Sequence, residues 1–344
     1  MNRLLCAFLL LTLLAACGGQ PAAPSPTSAP TAEATAAPVV APTNVPSAGF
    51  PITVRDGLGR ELTFDKPPER VVCLSSICVP ELAALGIKPI AVHAPWGYAL
   101  ALDPLNYGDE ARDWVQITDD APDKFEVIAG LKPDLVIGHG DEFIEPLKSI
   151  APVYAIALDF EQGATVESYA YNVQAYGAIF GKTNQAEALV AAVFDRIEAY
   201  AKLSPASKSI TVFTLSDEGS TIWFPPDCGV VLKRMGPCGH SKDGLEWFSG
   251  SIETLLAFNP DVLIMEDWGE GTGEWARRLV AEDPLWQELR AVTSSNFHIL
   301  PASSARFSDL PALGRALDAI MPLAYPDVFP QALTDEQVKE ILKQ

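Results

Sequence analysis

Apolar residues run from Leu4 to Leu14, broken by one Thr, then scatter, and beyond Phe50 they settle into short strand and helix patterns. Ile52–Arg55 and Glu61–Phe64 flank Asp56-Gly57-Leu58-Gly59, which predicts a β-hairpin. Val71–Leu74 reads as a short buried strand and Pro80–Gly86 as the helix after it. Pro89–Val92, Asp134–Ile137 and Val153–Ala157 read as further strands with helical stretches between them. Such alternation predicts a mostly parallel sheet covered on both faces. From about Val166 to Leu203 a long helical segment follows, interrupted near Gly181, with Leu189, Ala192, Val193, Ile197 and Tyr200 at helical spacing. After Pro205 strands return at Ser209–Thr214, Thr221–Phe224, Val262–Met265 and Phe297–Leu300. Helices are expected at Val230–Met235, Ile252–Phe258, Glu274–Ala281, Pro284–Leu289 and Leu313–Leu323. The expected fold is α/β: two Rossmann-like lobes with mostly parallel sheets, residues 50–165 and 205–330, joined by a single long helix within 166–204. Residues 331–344 are left as a C-terminal tail.

The head follows other rules. Met1 to Arg3 is a small basic start, the apolar run is too short for a membrane span of ~20 residues, and Leu14-Ala15-Ala16-Cys17 closes it. This is the layout of a secretory signal peptide, and the segment resembles the lipobox of bacterial lipoproteins. The resemblance implies that Cys17 is acylated and becomes the new N-terminus, anchoring the chain outside the cytoplasm. The alternative is an ordinary signal peptide cut elsewhere. Each buried acyl CH₂ contributes ~0.8 kcal/mol, so two or three chains hold a protein durably at a bilayer. Gly18 to Ala48 is almost wholly Pro, Ala, Ser, Thr, Val and Gly, with Glu33 its only charge. Such a segment cannot bury enough apolar surface to offset ordering entropy, and is expected to be a solvated linker reaching about 30 Å as a coil or roughly 90 Å fully extended.

The remaining residues, roughly 295 of them, suffice for two lobes with real cores. Lys plus Arg is 24 against 44 Asp plus Glu, a formal charge of −20. That balance argues against nucleic acid as a partner and against a patch for anionic lipid. Without Cys6 and Cys17, four cysteines remain, Cys73, Cys78, Cys228 and Cys238, and four allow three connectivities. The local pairs Cys73–Cys78 and Cys228–Cys238 are the first expectation. Neither spacing builds a zinc site by itself.

Several stretches carry a family resemblance. Arg70-Val71-Val72-Cys73-Leu74-Ser75-Ser76, followed by Glu81-Leu82-Ala83-Ala84-Leu85-Gly86, resembles the first βα unit of iron-siderophore and cobalamin solute-binding proteins. Phe125-Glu126-Val127-Ile128-Ala129-Gly130-Leu131-Lys132-Pro133-Asp134-Leu135-Val136-Ile137 is similar to their second signature. Its counterpart in the other half is Ser251-Ile252-Glu253-Thr254-Leu255-Leu256-Ala257-Phe258-Asn259-Pro260-Asp261-Val262-Leu263-Ile264, and Asp283-Pro284-Leu285-Trp286 continues the match. The two signatures also have a physical reading of their own, as a helix, a proline that stops it and a buried parallel strand, repeated in both halves. Glu126 and Glu253 stand near the starts of those helices, where a carboxylate complements the helix dipole by ~0.3–1 kcal/mol. The resemblance implies more: one such carboxylate per lobe docks on arginines of an ATP-binding-cassette (ABC) permease, which works with its ATPase subunits, and the binding protein itself acts as a monomer.

In open α/β sheets ligands sit outside the carboxyl ends of the strands, so two facing lobes form a cleft. The candidate ligand-binding residues there are Ser75, Trp96, Tyr98, Asp141, Trp223, Trp268 and Arg306. Pro95-Trp96-Gly97-Tyr98, His139-Gly140-Asp141-Glu142, Trp223-Phe224 and Asp267-Trp268 are read as cleft loops, and Trp286 as core packing. Aromatic side chains suit a large, partly apolar ligand, and Arg306 suits a carboxylate or catecholate unless it is spent on Asp309 at the surface. The implied cargo is a ferric siderophore, with cobalamin or haem as alternatives, and no resident cofactor is expected. The acidic Asp141, Glu142, Asp267 and Glu270 favour a neutral or cationic chelate over a ferric catecholate.

Related zinc and manganese carriers gather three His and a carboxylate. This chain has four histidines, His93, His139, His240 and His298, and His298 falls within an expected strand, so no metal site is assigned. Direct metal binding is the nearest competing reading, and haem ligation by His93, His139 or Tyr98 stays open beside it. The sequence shows no Gly-x-Ser-x-Gly elbow, no His-Glu-x-x-His and no P-loop, which points away from an enzyme. Gly269-Glu270-Gly271-Thr272-Gly273 lacks a lysine and is read as a flexible loop. A signalling or adhesive lipoprotein is the reading from a different class.

Overall fold

The computed structural model describes residues 49–118, 123–139, 141–158, 165–225, 231–237, 248–269 and 271–344. Cys17, the linker, Cys228, Cys238, His240 and Glu270 lie outside the described residues. The hairpin forms as expected: β1 (Ile52–Arg55) pairs antiparallel with β2 (Glu61–Phe64), Arg55 opposite Glu61. Its turn is held by the buried Asp56 carboxylate, which accepts from the Leu58 and Arg60 amides and the Arg60 guanidinium. A Cβ on Gly57 would stand 2.4 Å from Ala157 Cα, so only glycine lets the turn lie this close to the first lobe.

That lobe runs β3 (Val71–Cys73), α1 (Cys78–Ala84), β4 (Ala91–His93), α2 (Trp96–Leu102), β5 (Val115–Ile117), α3 (Lys124–Leu131), β6 (Leu135–Gly138), α4 (Asp141–Leu147) and β7 (Val153–Ala155). Its five strands are all parallel in the order β5-β4-β3-β6-β7. The strand residues of β3, β6 and β7 are buried, as a sheet covered on both faces requires.

The connecting segment is α5 (Val166–Ile179) and α6 (Thr183–Leu203), broken where expected, at Gly181, whose φ of +66° suits glycine. Past this corner α6 turns back against α5, and a Cβ on Gly177 would lie only 2.4 Å from Ala186 Cβ. α5 stays with the first lobe: Tyr171 Oη donates to Arg55 O, and Asn172 Oδ1 accepts from the Ala157 amide. α6 is the single long helix between the lobes.

The second lobe holds β8 (Ile210–Ser216), β9 (Thr221–Phe224), β10 (Phe248–Gly250), α7 (Ile252–Phe258), β11 (Val262–Asp267), α8 (Thr272–Glu282), α9 (Arg290–Thr293), β12 (Phe297–Pro301), α10 (Ala302–Ala305), α11 (Leu310–Ala324) and α12 (Asp335–Lys343). Its sheet order is β10-β9-β8-β11-β12, with β8, β11 and β12 parallel and the β8–β9 and β9–β10 pairings antiparallel. The fold class is therefore the expected one.

Several local expectations change. Residues 95–98, read as a loop, include the first turn of α2. β5 and β10, three residues each, escape the hydrophobic pattern. The helix expected at Pro284–Leu289 shrinks to a 3₁₀ turn, Trp286–Glu288, and that at Val230–Met235 to Leu232–Arg234. Residues 331–344 are no loose tail, because α12 opens on a Thr334/Gln337 capping box and buries Val338. Arg196 of α6 reaches Asp318 Oδ1 at 2.7 Å, the Leu333 carbonyl at 2.7 Å and Asp335, which fixes α6, α11 and α12 together.

The repeat seen in sequence has one geometry in both lobes. α3 ends at Lys132 (φ 49°) and α7 at Asn259 (φ 41°), each followed by Pro-Asp and a central strand. Asp134 accepts from the Glu69 and Arg70 amides just ahead of β3, at 2.8 and 2.7 Å. Asp261 accepts from the Ser209 amide ahead of β8 at 2.9 Å, and from Ser209 Oγ and Arg290 Nη1. Each aspartate thus ties the amino ends of two neighbouring parallel strands.

Candidate ligand cleft between the lobes

Strand order reverses between β3 and β6 in one sheet and between β8 and β11 in the other. Ligand-binding crevices form outside the carboxyl ends of strands at such points. The loops after β3, β4 and β6 lead to Ser75, Trp96 and Asp141; β8 itself ends at Ser216, and the loops after β11 and β12 lead to Trp268 and Arg306.

The loop after β3 is closed by a disulfide between Cys73 and Cys78, one of the two expected local pairs, with Cα atoms 6.1 Å apart. Both sulfurs lie against the Ser75 carbonyl, at 3.1 and 3.2 Å, as contacts, since a disulfide carries no proton to donate. Ser75 is buried and its hydroxyl accepts from the Ile77 amide, so the side chain is spent on the turn.

Trp96, half exposed, crosses to the other lobe. Its ring meets that of Trp268 edge to face, with centroids 5.1 Å apart. Arg306 lies over the ring of Trp268, with Cζ 5.9 Å from the centroid. Trp268 Nε1 donates to Glu266 Oε2 at 3.3 Å. The structure therefore brings Trp96, Trp268 and Arg306 into one group at the meeting of the lobes. Arg306 is buried and its Nη2 donates to Asp309 Oδ2 at 2.5 Å, so this ion pair is interior and not the surface pair that spacing allowed.

The other candidates are placed differently. Tyr98 Oη donates to the Arg112 carbonyl at 2.8 Å, which engages that ring within its own lobe. Trp223 stands on β9, opposite Thr214, and its Nε1 donates to Ser216 Oγ at the carboxyl end of β8. Its neighbour Phe224 is wholly buried and stacks on Phe248 at 4.7 Å, so it belongs to the core and not to a cleft loop. Asp141 opens α4 after β6. Trp286 packs in the core beside Phe213, at 5.8 Å, as expected. His298 sits in β12 as expected, and partial burial pushes its pKa down.

Asp267 corrects the reading of the glycine-rich loop. Its Oδ1 accepts from Thr272 Oγ1 at 2.7 Å and from the Gly269 and Gly273 amides at 3.0 and 3.2 Å. A Cβ on Gly273 would fall 2.3 Å from Asp267 Oδ2. The start of α8 is thus a tight turn built around the chain's own carboxylate, with glycine required for that approach, so the Gly269 and Gly273 amides are spent on Asp267 and do not cradle a phosphate.

Two functional candidates were missed by sequence reasoning. Glu81 on α1 and Glu266 on β11 are fully buried. Burial pushes Glu81 well up, and the nearby Asp309 adds to this; the Leu310 amide and Arg306 pull the other way. Glu266 rises to about 7, through burial, against the Trp268 hydrogen bond and Arg306. In sequence the first reads as a first-turn helix acid and the second as a strand end; only contact with the opposite lobe makes them unusual.

On the far side, Glu126 and Glu253 are exposed in the first turns of α3 and α7. Glu253 Oε2 accepts from Ser251 Oγ at 2.5 Å, and that bond and its own amide hold the carboxyl low. Among the described residues no group of three His, Cys, Asp or Glu side chains is arranged to hold a metal, and no helix is long and apolar enough to cross a membrane.

Comparison with known proteins agrees with this geometry. The chain is 29% identical over 254 residues to the Fe(3+) dicitrate-binding periplasmic protein FecB of Escherichia coli, covering 71% of this chain and 80% of that protein. It is 25% identical over 266 residues to the protein named "Probable siderophore-binding lipoprotein YfiY" of Bacillus subtilis, covering 72% and 79%. A crystal structure titled as an ABC-type Fe3+-hydroxamate transport system of Saccharomonospora viridis superposes with a TM-score of 0.63 at 21% identity, over 80% of this chain and 99% of the other. The periplasmic binding protein model matches residues 71–303, and the chain belongs to that family, in its two-lobed siderophore and cobalamin branch of extracytoplasmic solute-binding proteins.

Proposed function

We propose that the chain is the lipid-anchored substrate-binding subunit of an ABC importer, carrying a ferric siderophore in the inter-lobe cleft to its permease. One observation carries the reading of the cleft: Trp96 and Trp268 meet from opposite lobes with Arg306 beside them. Two indole rings set edge to face beside a cation offer contact area to a large chelate at small entropic cost. Arg306 is already paired with Asp309, and Glu81 and Glu266 lie close by, so the cleft presents little net positive charge. That favours a neutral ferric chelate, of the hydroxamate kind, over a polyanionic catecholate. Cys17 supplies the anchor and the linker its reach, while exposed Glu126 and Glu253 supply one docking carboxylate per lobe.

Binding is tested by tryptophan quenching of the purified protein with ferric hydroxamate, citrate, catecholate, cobalamin and haem in turn. Saturable quenching by a ferric chelate supports the reading; binding of cobalamin or haem alone replaces the cargo. Native mass spectrometry of protein from its own host weighs any carried ligand directly. Docking is tested by uptake through a reconstituted permease after Glu126→Ala with Glu253→Ala. Loss of uptake at unchanged ligand affinity is expected, and normal uptake removes the docking role.

A further inference from the structure

The seam between the lobes buries more acid than it neutralises. Glu81 faces Asp309 and Arg306 from the first lobe, and Glu266 faces the same Arg306 from β11. Asp309 takes the guanidinium through Oδ2, while its Oδ1 accepts from the Ala312 amide at the start of α11. The Leu310 amide lies near enough to Glu81 to favour its charged form, yet among the described residues neither oxygen of Glu81, nor Oε1 of Glu266, nor Nε of Arg306 makes a full hydrogen bond. The helix carrying Glu81 packs on α2, α5 and α11. From α5 comes the buried Tyr176 hydroxyl, unpartnered among the described residues, and from β7 the Tyr154 hydroxyl, which donates to Asn172. α2 brings no carboxylate and no base beyond Tyr98, whose hydroxyl is engaged at Arg112. Nothing named here can neutralise an ionised Glu81 except the guanidinium that Asp309 already holds.

An ionised carboxylate without a counter-charge is costly in such a place, and the group either takes a proton or admits water. Admitting water here means parting α1 from the start of α11, which is to say parting the lobes. We propose that this seam is a proton-operated latch: neutral Glu81 lets the lobes close against each other, and ionised Glu81 repels Asp309 and loosens them. The latch acts whatever solute the cleft takes. Its sign follows from linkage. The closed form holds a proton that the open form releases, so closure is complete below the ordinary glutamate range and is lost as pH rises through the shifted value.

Hydrogen exchange on the ligand-free full chain reads the latch directly. Protection of amides in residues 78–84 and 310–313, corrected for intrinsic rates, is expected to fall by up to roughly tenfold per pH unit above the ordinary range, one proton being released. Glu81→Gln, which keeps shape and removes the charge, is expected to leave that protection high and flat with pH. A flat profile in the unaltered protein, or an unchanged slope in Glu81→Gln, overturns the proposal. So does a slope that vanishes in Glu266→Gln and persists in Glu81→Gln. Should Glu81→Gln fail to fold, carboxyl carbon NMR of Glu266→Gln decides: one glutamate titrating above the ordinary range is expected, and every glutamate titrating near ~4.3 overturns the latch.

Discussion

The two edges of each sheet use acidic side chains in opposite ways. At the amino edge, Asp134 and Asp261 are fed by backbone amides from the next strand, and Glu126 and Glu253 stand in solvent. At the carboxyl edge, Glu81 and Glu266 are buried with oxygens unengaged among the described residues, around an arginine that Asp309 already holds. The first arrangement stabilises a fold. The second leaves electrostatic tension where the lobes meet, as sites that must change state commonly do. Carboxylates thus tie strands together at one edge and, among the described residues, stay buried without full pairing at the other.

If that division is right, amino-edge changes should cost stability and spare binding. Asp261→Ala is the strongest case, because it leaves the Ser209 amide and Arg290 without their acceptor; urea unfolding should show a loss of about 3 kcal/mol, with chelate affinity unchanged. For Asp261, burial raises the carboxyl but is outweighed by Ser209 and Arg290, so the net shift is downward. Its contribution is accordingly present above the ordinary aspartate value and lost as pH falls below about 4, which acid titration of unfolding would show.

Removing the Cys73–Cys78 bridge by paired serines should cost about 2 kcal/mol on the chain-entropy estimate for so short a loop, read by unfolding with and without reductant. A smaller free-energy effect, but a diagnostic one, is expected for Trp96→Ala. Since the ring is half exposed, unfolding should change little, while ferric-chelate affinity falls about tenfold by titration. Unchanged affinity would break the comparison at the carboxyl edge. Smallest of all, Glu126→Gln with Glu253→Gln should move stability by less than about 0.5 kcal/mol in thermal unfolding. A larger loss would make them capping residues first.

Much of the frame was legible in the chain. The helix at Ile252–Phe258 has the expected bounds, and the break at Gly181 and the Pro-Asp repeat stand where pattern put them. β10 was not legible because Phe248-Ser249-Gly250 has little strand preference of its own; Phe248 stacking on Phe224 supports it from another strand. α12 carried visible capping chemistry but follows two prolines, Pro326 and Pro330, that suggest a fold's end. Arg306 was found and its partner named, yet its burial was not foreseen. Glu81 was invisible as a site, since an acid in a first helical turn is ordinary until a second lobe covers it.

The corner at Gly181 has a mechanical consequence. α5 is fixed to the first lobe through Tyr171 and Asn172, and α6 to the second through Arg196 and Tyr200. The chain thus contains a lever, α6, of 21 residues and so about 30 Å long, whose pivot is a three-residue elbow. One degree of rotation at that elbow carries the far end about half an ångström. A turn of a few degrees at that elbow would shift the far end of α6 by about one or two ångströms, the scale on which side-chain contacts are made or lost.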